Sequence, residues 1–525
     1  MKTTLTKTCE TVSETLIPTA VTETAAAAET TPVGAFARVL PQHASVVSTT
    51  VGILFWTVVA AAAFHLAYAT RTTSAFVVIY AYCLLQLAHT DKWRQAFYPG
   101  LGVGLLIAAG RLEFFWTIFS GGALALWLVF AFWIGLFCVS ARLCFRHLPR
   151  VVAWCAIPVV WTGLEYFRSE LYYLRFAWLT PGFAFSGDVG SPMLSWAGVY
   201  GIGFVVTALA CGVDAVQRIW GIRAWLTAVV GTATVELLSF LAGPMRQKET
   251  ETVNVAGVQM EFPSQMEVLT RLTKLARKHP ETELIVLPEY TFTEPIPEVL
   301  RGWCRKERRY LVVCGKAPAG GTEFFNTAFV IDPKGEIVFQ QAKAVPIQFF
   351  KDGLPAPEQK VWDSPWGKLG ICICYDLSYT RVTDALIRAG ARALIVPTMD
   401  VADWGKRQHS LHARVAPARA AEYGVPIVRV ASSGISQLVN RRGETTTSAP
   451  FPGEGAVICG QVELASGGHL PWDRMLAPVC AVFTGLFLGW IAALKFVGTI
   501  WRQKATETRN TFQRLTAATM KPMQL

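Results

Sequence analysis

Two kinds of hydrophobic order alternate along the chain. From residue 44 to 244 long apolar runs carry few charges, and the same texture returns at 475–494. A bilayer-crossing helix needs roughly 20 apolar residues. The runs divide into candidate spans at 46–69, 72–90, 95–111, 117–141, 151–168, 190–213, 222–244 and 475–494, the third and fifth being short. From Val253 the texture changes to short β-branched runs separated by amphipathic stretches. "VNVAGVQM" predicts a strand, and "SQMEVLTRLTKLARKH" predicts a helix with Met266, Leu269, Leu272 and Leu275 on one face. "ELIVLPEY" and "RYLVVCGKA" predict further strands, and "FFNTAFVIDPKGEIVFQQAK" a hairpin turning at Asp332, Pro333, Lys334 and Gly335. "KLGICIC" reads as another strand, followed by a helix near 378–389, the strand "ARALIVPT", one long helix over 406–423 and the strand "PIVRVASSG". Such alternation predicts α/β layers around buried sheets.

Composition supports a membrane protein interrupted by one globular part. Of 525 residues 52% are hydrophobic and only 16% charged, and the mean hydropathy of +0.36 is above that of soluble chains. The expected organisation is a disordered cytoplasmic leader at 1–43, a membrane domain of about seven helices at 44–246, a globular domain at 247–470, a transmembrane helix at 475–500 and a basic tail at 501–525. The leader is rich in Thr, Ala and Glu and has no apolar core of a signal peptide.

A net charge of +11 raises the question of nucleic acid. The basic residues instead sit in loops and the tail. With a cytoplasmic N-terminus, one side collects Lys92, Arg94, Arg142, Arg146, Arg150, Arg218, Arg223 and the tail, and the other only Arg71, Arg111, Arg168 and Arg175. The positive-inside rule then puts the globular domain outside the cytoplasm, and no nucleic-acid partner is expected. The 12 cysteines lack the paired spacings of a zinc site or disulfide framework. No metal, cofactor or required disulfide is expected.

In α/β folds chemistry gathers where loops leave the carboxyl ends of strands. Glu289 closes "LIVLPE", Lys343 closes "IVFQQAK" and Cys374 closes "LGICIC". A strand-end Glu or Lys is ordinarily just solvated, and a lone cysteine is ordinarily core; their joint occurrence is the signal. Strand alternation puts Cys372 and Cys374 on one face, so only the "CYD" context of Tyr375 and Asp376 and the strand-end position favour Cys374.

These residues resemble the carbon–nitrogen hydrolase (nitrilase) superfamily. The resemblance rests on "LPE" at 287–289, a lysine after a hairpin, "ICYD" at 373–376, and the stretch 407–436 with its R-A-x-E segment at Arg419–Glu422. It implies an αββα sandwich and a Glu-Lys-Cys triad. The placement of that domain between membrane spans is similar to the apolipoprotein N-acyltransferases. "WTGLEYFR" with Glu165 and Arg168, "FAWLTPGFAFS" with Trp178, and "GVYGIGF" resemble that family's membrane and loop motifs. Glu165, an acid near the end of a short span, is a candidate functional residue or an ion-pair partner of Arg168. The stretch after Lys343 departs from the family, lacking its second glutamate, with Gln348 and Asp352 as the candidates to replace it. Tyr-Asp follows Cys374 where the acyltransferases often have Tyr-Glu, and Ser432-Ser433-Gly434 stands for their Asn-Asn-Gly.

The resemblance implies that Glu289 accepts the thiol proton of Cys374 and that Lys343 stabilises the oxyanion. A phospholipid acyl donor and a diacylated apolipoprotein acceptor, both held in the lipid bilayer of the bacterial inner membrane, would be the partners. Phe349, Phe350 and Trp404 are candidates to touch lipid. Two rival expectations share the residues: a membrane-tethered amidase, and a non-catalytic nitrilase-like scaffold.

Overall fold

The computed structural model describes residues 49–187, 191–220 and 251–519. The expected leader and the expected span at 222–244 lie outside the described residues.

The membrane part consists of α1 (Thr50–Ala67), α2 (Phe76–Ala88), α3 (Trp93–Arg111), α4 (Phe114–Phe119), α5 (Gly122–His147), α6 (Arg150–Tyr166) and α7 (Ser191–Trp220). A last helix, α13 (Asp473–Thr519), joins them from the far end of the chain. Among the described residues four segments are long and apolar enough to cross a membrane: α1, α5, Pro192–Ile219 of α7 and Asp473–Phe496 of α13. The span expected at 117–141 is two helices, because Ser120 adopts a left-handed backbone (φ 48°) between α4 and α5. Arg142 and Arg146 therefore belong to the last turns of α5 and not to a loop.

Small residues set the helix spacing, since lipid supplies no hydrophobic drive between helices. A Cβ on Gly104 of α3 would stand 2.4 Å from the Ala131 Cα of α5, and one on Gly163 of α6 would stand 2.4 Å from the Cys480 carbonyl of α13. In α7 the helix breaks at Gly198 (φ 75°). The Asp473 carboxylate fills the space a side chain there would need, and accepts the Tyr200 N–H at 2.9 Å. It thereby caps the second half of α7, where an anion is favoured.

The globular part is two six-stranded sheets. The first runs β12-β1-β2-β3-β4-β5 and the second β11-β10-β9-β8-β7-β6. The strands are β1 (Thr252–Val258), β2 (Leu284–Val286), β3 (Tyr310–Gly320), β4 (Glu323–Ile331), β5 (Ile337–Ala342), β6 (Val361–Ser364), β7 (Gly367–Ile371), β8 (Ala393–Thr398), β9 (Ile427–Ala431), β10 (Ser436–Val439), β11 (Thr445–Ala449) and β12 (Val457–Glu463). The three-strand cores β1-β2-β3 and β7-β8-β9 are parallel, and their flanking strands pair antiparallel.

Period-two alternation sorts the first sheet's side chains between two layers. Val253, Val255, Val286 and Val312 enter the core shared with the second sheet, and the faces meet closely enough that a Cβ on Gly257 would stand 2.6 Å from Val430 Cγ2. Ala256, Val258, Ile285 and Val313 point the other way, under α8 (Gln265–Lys278) and α9 (Glu298–Glu307). On α8 the buried stripe is Val268, Leu272, Leu275 and Ala276; Met266 is exposed, so the expected face is rotated toward Val268. The second sheet carries α10 (Thr380–Arg388), α11 (Gly405–Ala413) and α12 (Val415–Tyr423). The single helix expected over 406–423 is thus two, divided at Arg414. The result is the α/β layering that the alternation predicts, in the αββα order that the family resemblance implies.

Candidate active site

Glu289, Lys343 and Cys374 converge at one end of the facing sheets. Lys343 follows β5 directly, whereas Glu289 and Cys374 each lie three residues beyond the last paired residue of β2 and β7. The strand expected to carry both cysteines ends at Ile371, and Cys374 begins a 3-10 turn (Cys374–Ser378) with a left-handed φ of 54°. The two cysteines are consequently not equivalent. Cys374 feels Glu289 and Lys343, while Cys372 feels Asp376 and Arg419. Tyr290 (φ 52°) and Phe349 (φ 72°) share the left-handed backbone. Three non-glycine residues in that strained region around one pocket is the concentration expected where side-chain aim matters more than local stability.

The Lys343 ammonium, fully buried, lies 2.8 Å from Glu289 Oε1 and 2.7 Å from Asp352 Oδ2. Asn326 Nδ2 bridges the same two carboxylates at 2.7 and 3.0 Å, the Tyr290 hydroxyl donates to Asp352 at 2.7 Å, and the Ile347 N–H donates to it at 2.8 Å. Asp352, not Gln348, is therefore the second acid beside the lysine; Gln348 turns outward to the Tyr173 carbonyl. The other oxygen of Glu289 accepts the Met399 N–H at 2.9 Å, and the Met399 carbonyl faces Cys374 Sγ at 3.7 Å.

Burial opposes the Lys343 charge, but Glu289 and Asp352 outweigh it and hold its pKa well above the ordinary lysine value. Burial likewise opposes ionisation of Asp352, yet Lys343 and the Ile347 N–H keep its carboxyl below the ordinary range. Glu289 differs: burial raises its carboxyl, Lys343 offsets this only in part, and Asp352 adds to the rise. Sharing the ammonium with Asp352 thus leaves Glu289 readier to hold a proton than a simple Glu–Lys pair would. Burial, with the charge of Glu289 next, pushes the Cys374 thiol well above its ordinary value. At rest the sulfur carries its proton, beside a carboxylate able to take it.

Asp376 ties the lysine segment to the cysteine turn. Its carboxylate accepts the N–H groups of Ala344 (3.1 Å), Val345 (2.7 Å) and Ile373 (3.1 Å), although burial pushes it up to about 6. Behind the turn, Arg419 donates to the carbonyls of Leu377 (3.1 Å) and Ser378 (2.8 Å) and pairs with Glu422. The helical segment flagged by sequence is therefore a brace for the turn and touches none of the three central groups.

The membrane part completes the site. Trp178 Nε1 donates to Ser378 Oγ at 2.8 Å, and the Tyr375 hydroxyl donates to the Arg175 carbonyl at 3.3 Å. Next to Tyr375 lies an open groove with about 940 Å³ of empty space, bulk solvent at its mouth included, walled by Phe115, Phe119 and Phe130 from the helices and by Phe349, Phe350 and Trp404 from the globular loops. Phe119 meets both Phe349 and Phe350 with ring centres 5.9 Å apart. Glu165 and Arg168 are not an ion pair: Glu165 accepts from Trp161 Nε1 at 3.2 Å and Arg168 donates to the Phe176 carbonyl at 3.1 Å.

Sequence reasoning missed a buried cluster behind Met399. Asp400 accepts from Arg429 Nη2 at 2.6 Å and lies 2.7 Å from His412 Nδ1, and the His412 ring stacks on Trp178 at 4.6 Å. Burial disfavours the Asp400 charge, but His412 and Arg429 hold it well below the ordinary range. These partners lie on different elements, so no local spacing reveals them. Asn326 is obscured in the same way, whereas Asp352 is one of the two candidates the sequence offers for the second acid.

Two known families divide the chain. Residues 245–470 match the carbon–nitrogen hydrolase family and residues 60–212 the apolipoprotein N-acyltransferase N-terminal domain. The chain is 27% identical over 452 residues to apolipoprotein N-acyltransferase of Geobacter metallireducens, covering 74% of this chain and 85% of that protein. It is 36% identical to formamidase of Bacillus cereus over 141 residues, which span 22% of this chain and 41% of the formamidase. Among solved structures, Nit3 of Saccharomyces cerevisiae, a member of branch 10 of the nitrilase superfamily, is similar at 22% identity over 41% of this chain and 92% of that one, with a TM-score of 0.36. The formamidase match covers only 22% of the chain, whereas the Geobacter relative continues over most of it, and the membrane helices have a matching domain of their own. The chain belongs to the apolipoprotein N-acyltransferase family, within the carbon–nitrogen hydrolase superfamily.

Proposed function

We propose that the protein transfers a fatty acyl chain from a phospholipid, through a thioester on Cys374, to the α-amine of a diacylglyceryl-cysteine at a lipoprotein N-terminus. The observation that carries this reading is the apolar groove built jointly by membrane helices and globular loops, one wall of which is Tyr375, the neighbour of Cys374. A hydrolase of small soluble amides has no use for such a groove.

Glu289 takes the thiol proton as the sulfur attacks the ester carbonyl carbon, and Lys343 stabilises the resulting oxyanion, an effect of about 3 kcal/mol for one such donor. When the C–O bond breaks, Glu289 returns the proton to the departing lysophospholipid oxygen, leaving the thioester. The acceptor amine then attacks the thioester carbon, Glu289 takes the amine proton, and the C–S bond breaks as that proton goes to sulfur. The products are an amide and the free thiol. Asp352 positions Lys343 in both halves. Holding both lipid substrates in one bilayer supplies the proximity that a two-substrate reaction otherwise lacks. The domain faces the periplasm in this reading, because the basic residues gather on the opposite side of the helices.

The test is peptide mass spectrometry of the detergent-purified protein after incubation with phospholipid. A hydroxylamine-sensitive fatty-acyl adduct is expected on the peptide holding both cysteines, retained in Cys372→Ser and lost in Cys374→Ser. An adduct that survives Cys374→Ser, or none on folded wild type, overturns the assignment.

A further inference from the structure

The groove beside Tyr375 is lined mainly by apolar side chains. Its charged lining residues are Arg168 and Arg175, and no carboxylate lines it. Among the described residues neither guanidinium has an acidic oxygen within ion-pair distance. Arg168 is buried, spends one N–H on the Phe176 carbonyl and lies over the Phe130 ring. Arg175 is half-buried, with its guanidinium 5.3 Å from the Tyr379 ring centre and a buried Nε that has no hydrogen-bond partner. Its carbonyl is held by the hydroxyls of Tyr375 and Tyr379 (3.3 and 3.4 Å), which fixes the residue to the cysteine turn.

An unpaired guanidinium with an unsatisfied buried N–H is costly in an apolar wall. The cost is offset if an anion of planar or tetrahedral oxygens occupies the site, and the guanidinium fork suits such groups. We infer that Arg175, assisted by Arg168, binds the phosphodiester of the acyl donor, with the acyl chains along the phenylalanine walls. This rests on the phospholipid reading above and adds to it the group that sets the donor's register. The chemistry recognised is the phosphodiester that glycerophospholipids share, not the alcohol beyond it. Arg175 is thus a binding residue for the lipid's phosphate, separate from the groups that act on its ester.

The experiment compares acylation of Cys374 by two donors carrying the same palmitoyl chain: vesicles of dipalmitoyl phosphatidylethanolamine or phosphatidylglycerol, and p-nitrophenyl palmitate, which has no phosphate. Wild type, Arg175→Gln and Arg175→Lys are measured, with thermal unfolding as a check that each is folded. In Arg175→Gln the ratio of the phospholipid rate to the p-nitrophenyl ester rate is expected to fall on the order of tenfold to hundredfold, with either head group, and to recover in part in Arg175→Lys. An unchanged ratio in folded Arg175→Gln overturns the inference while leaving the thioester reading intact. A fall with only one head group overturns it as well, because the phosphate is common to both. Wild type acylated by the p-nitrophenyl ester but by neither phospholipid sinks both the inference and the phospholipid donor, and no acylation by any donor sinks the thioester itself.

Discussion

At the scale of single residues, the centre is one ammonium divided between two carboxylates. Asp352 raises the Glu289 carboxyl in two ways, as a nearby like charge and as a competitor for Lys343. Glu289 has to be ionised to accept a proton, so activity falls on the acid side as pH drops through its raised pKa. In Asp352→Asn the like charge is gone and Lys343 is left to Glu289 alone. The acid limb of the pH–rate profile is expected to move to lower pH, with a lower maximal rate because Lys343 is less well held. A limb that stays in place or moves up shows that Asp352 does not act on Glu289. Asp376 belongs to the same scale but does a different job. Asp376→Ala strands three buried N–H donors, a loss of about 3 kcal/mol, and should lower the unfolding midpoint of the detergent-solubilised protein as well as the rate. A variant that loses rate but keeps its midpoint would place Asp376 in the chemistry instead.

Elements explain why these residues meet. The parallel cores of the two sheets point their loops into one cleft, and the turn after β7 lifts Cys374 out of strand geometry into a left-handed backbone. No periodicity in "LGICICYD" announces that turn: alternation extends the strand three residues too far, because the apolar run continues past the last paired residue at Ile371. The break at Arg414 does have a local signal: Pro417 has no N–H to donate to the Ala413 carbonyl and its ring crowds that carbonyl, so one helix cannot run on unbroken from Gly405 to Tyr423. The contact of α6 with α13 is among the most exacting in the helical part. A side chain at 163 would collide with the Cys480 carbonyl, which as backbone has nowhere to go. Gly163→Val is expected to cost about 1–3 kcal/mol or more through overpacking, read as a lower unfolding midpoint. A fully stable Gly163→Val would mean that α13 is not held against α6.

For the whole molecule, the helices and the globular domain are one folded body over the described residues from 49 onward. All nine residues of α12 are buried. Its Glu422 accepts the Val199 N–H from α7 at 3.0 Å and pairs with Arg474 of α13 at 3.1 Å, and Arg474 in turn reaches Asp384 of α10 at 2.7 Å. Removing the helices exposes that apolar and charged face together, leaving buried ion pairs broken, a class of change that costs about 3–5 kcal/mol for each pair. Residues 251–472 expressed alone are therefore expected to aggregate on size-exclusion chromatography; a monodisperse, folded fragment would show that the domain is self-sufficient. The sequence by itself determined the membrane and globular division, the α/β layering and the three central residue types, because hydrophobic period and residue chemistry are local properties. Only the tertiary structure decided that Asp352 shares the lysine, that Cys374 and not Cys372 faces Glu289, and that Arg175 enters an apolar groove. Each of those facts depends on partners brought together from distant segments, and no local spacing encodes such a meeting.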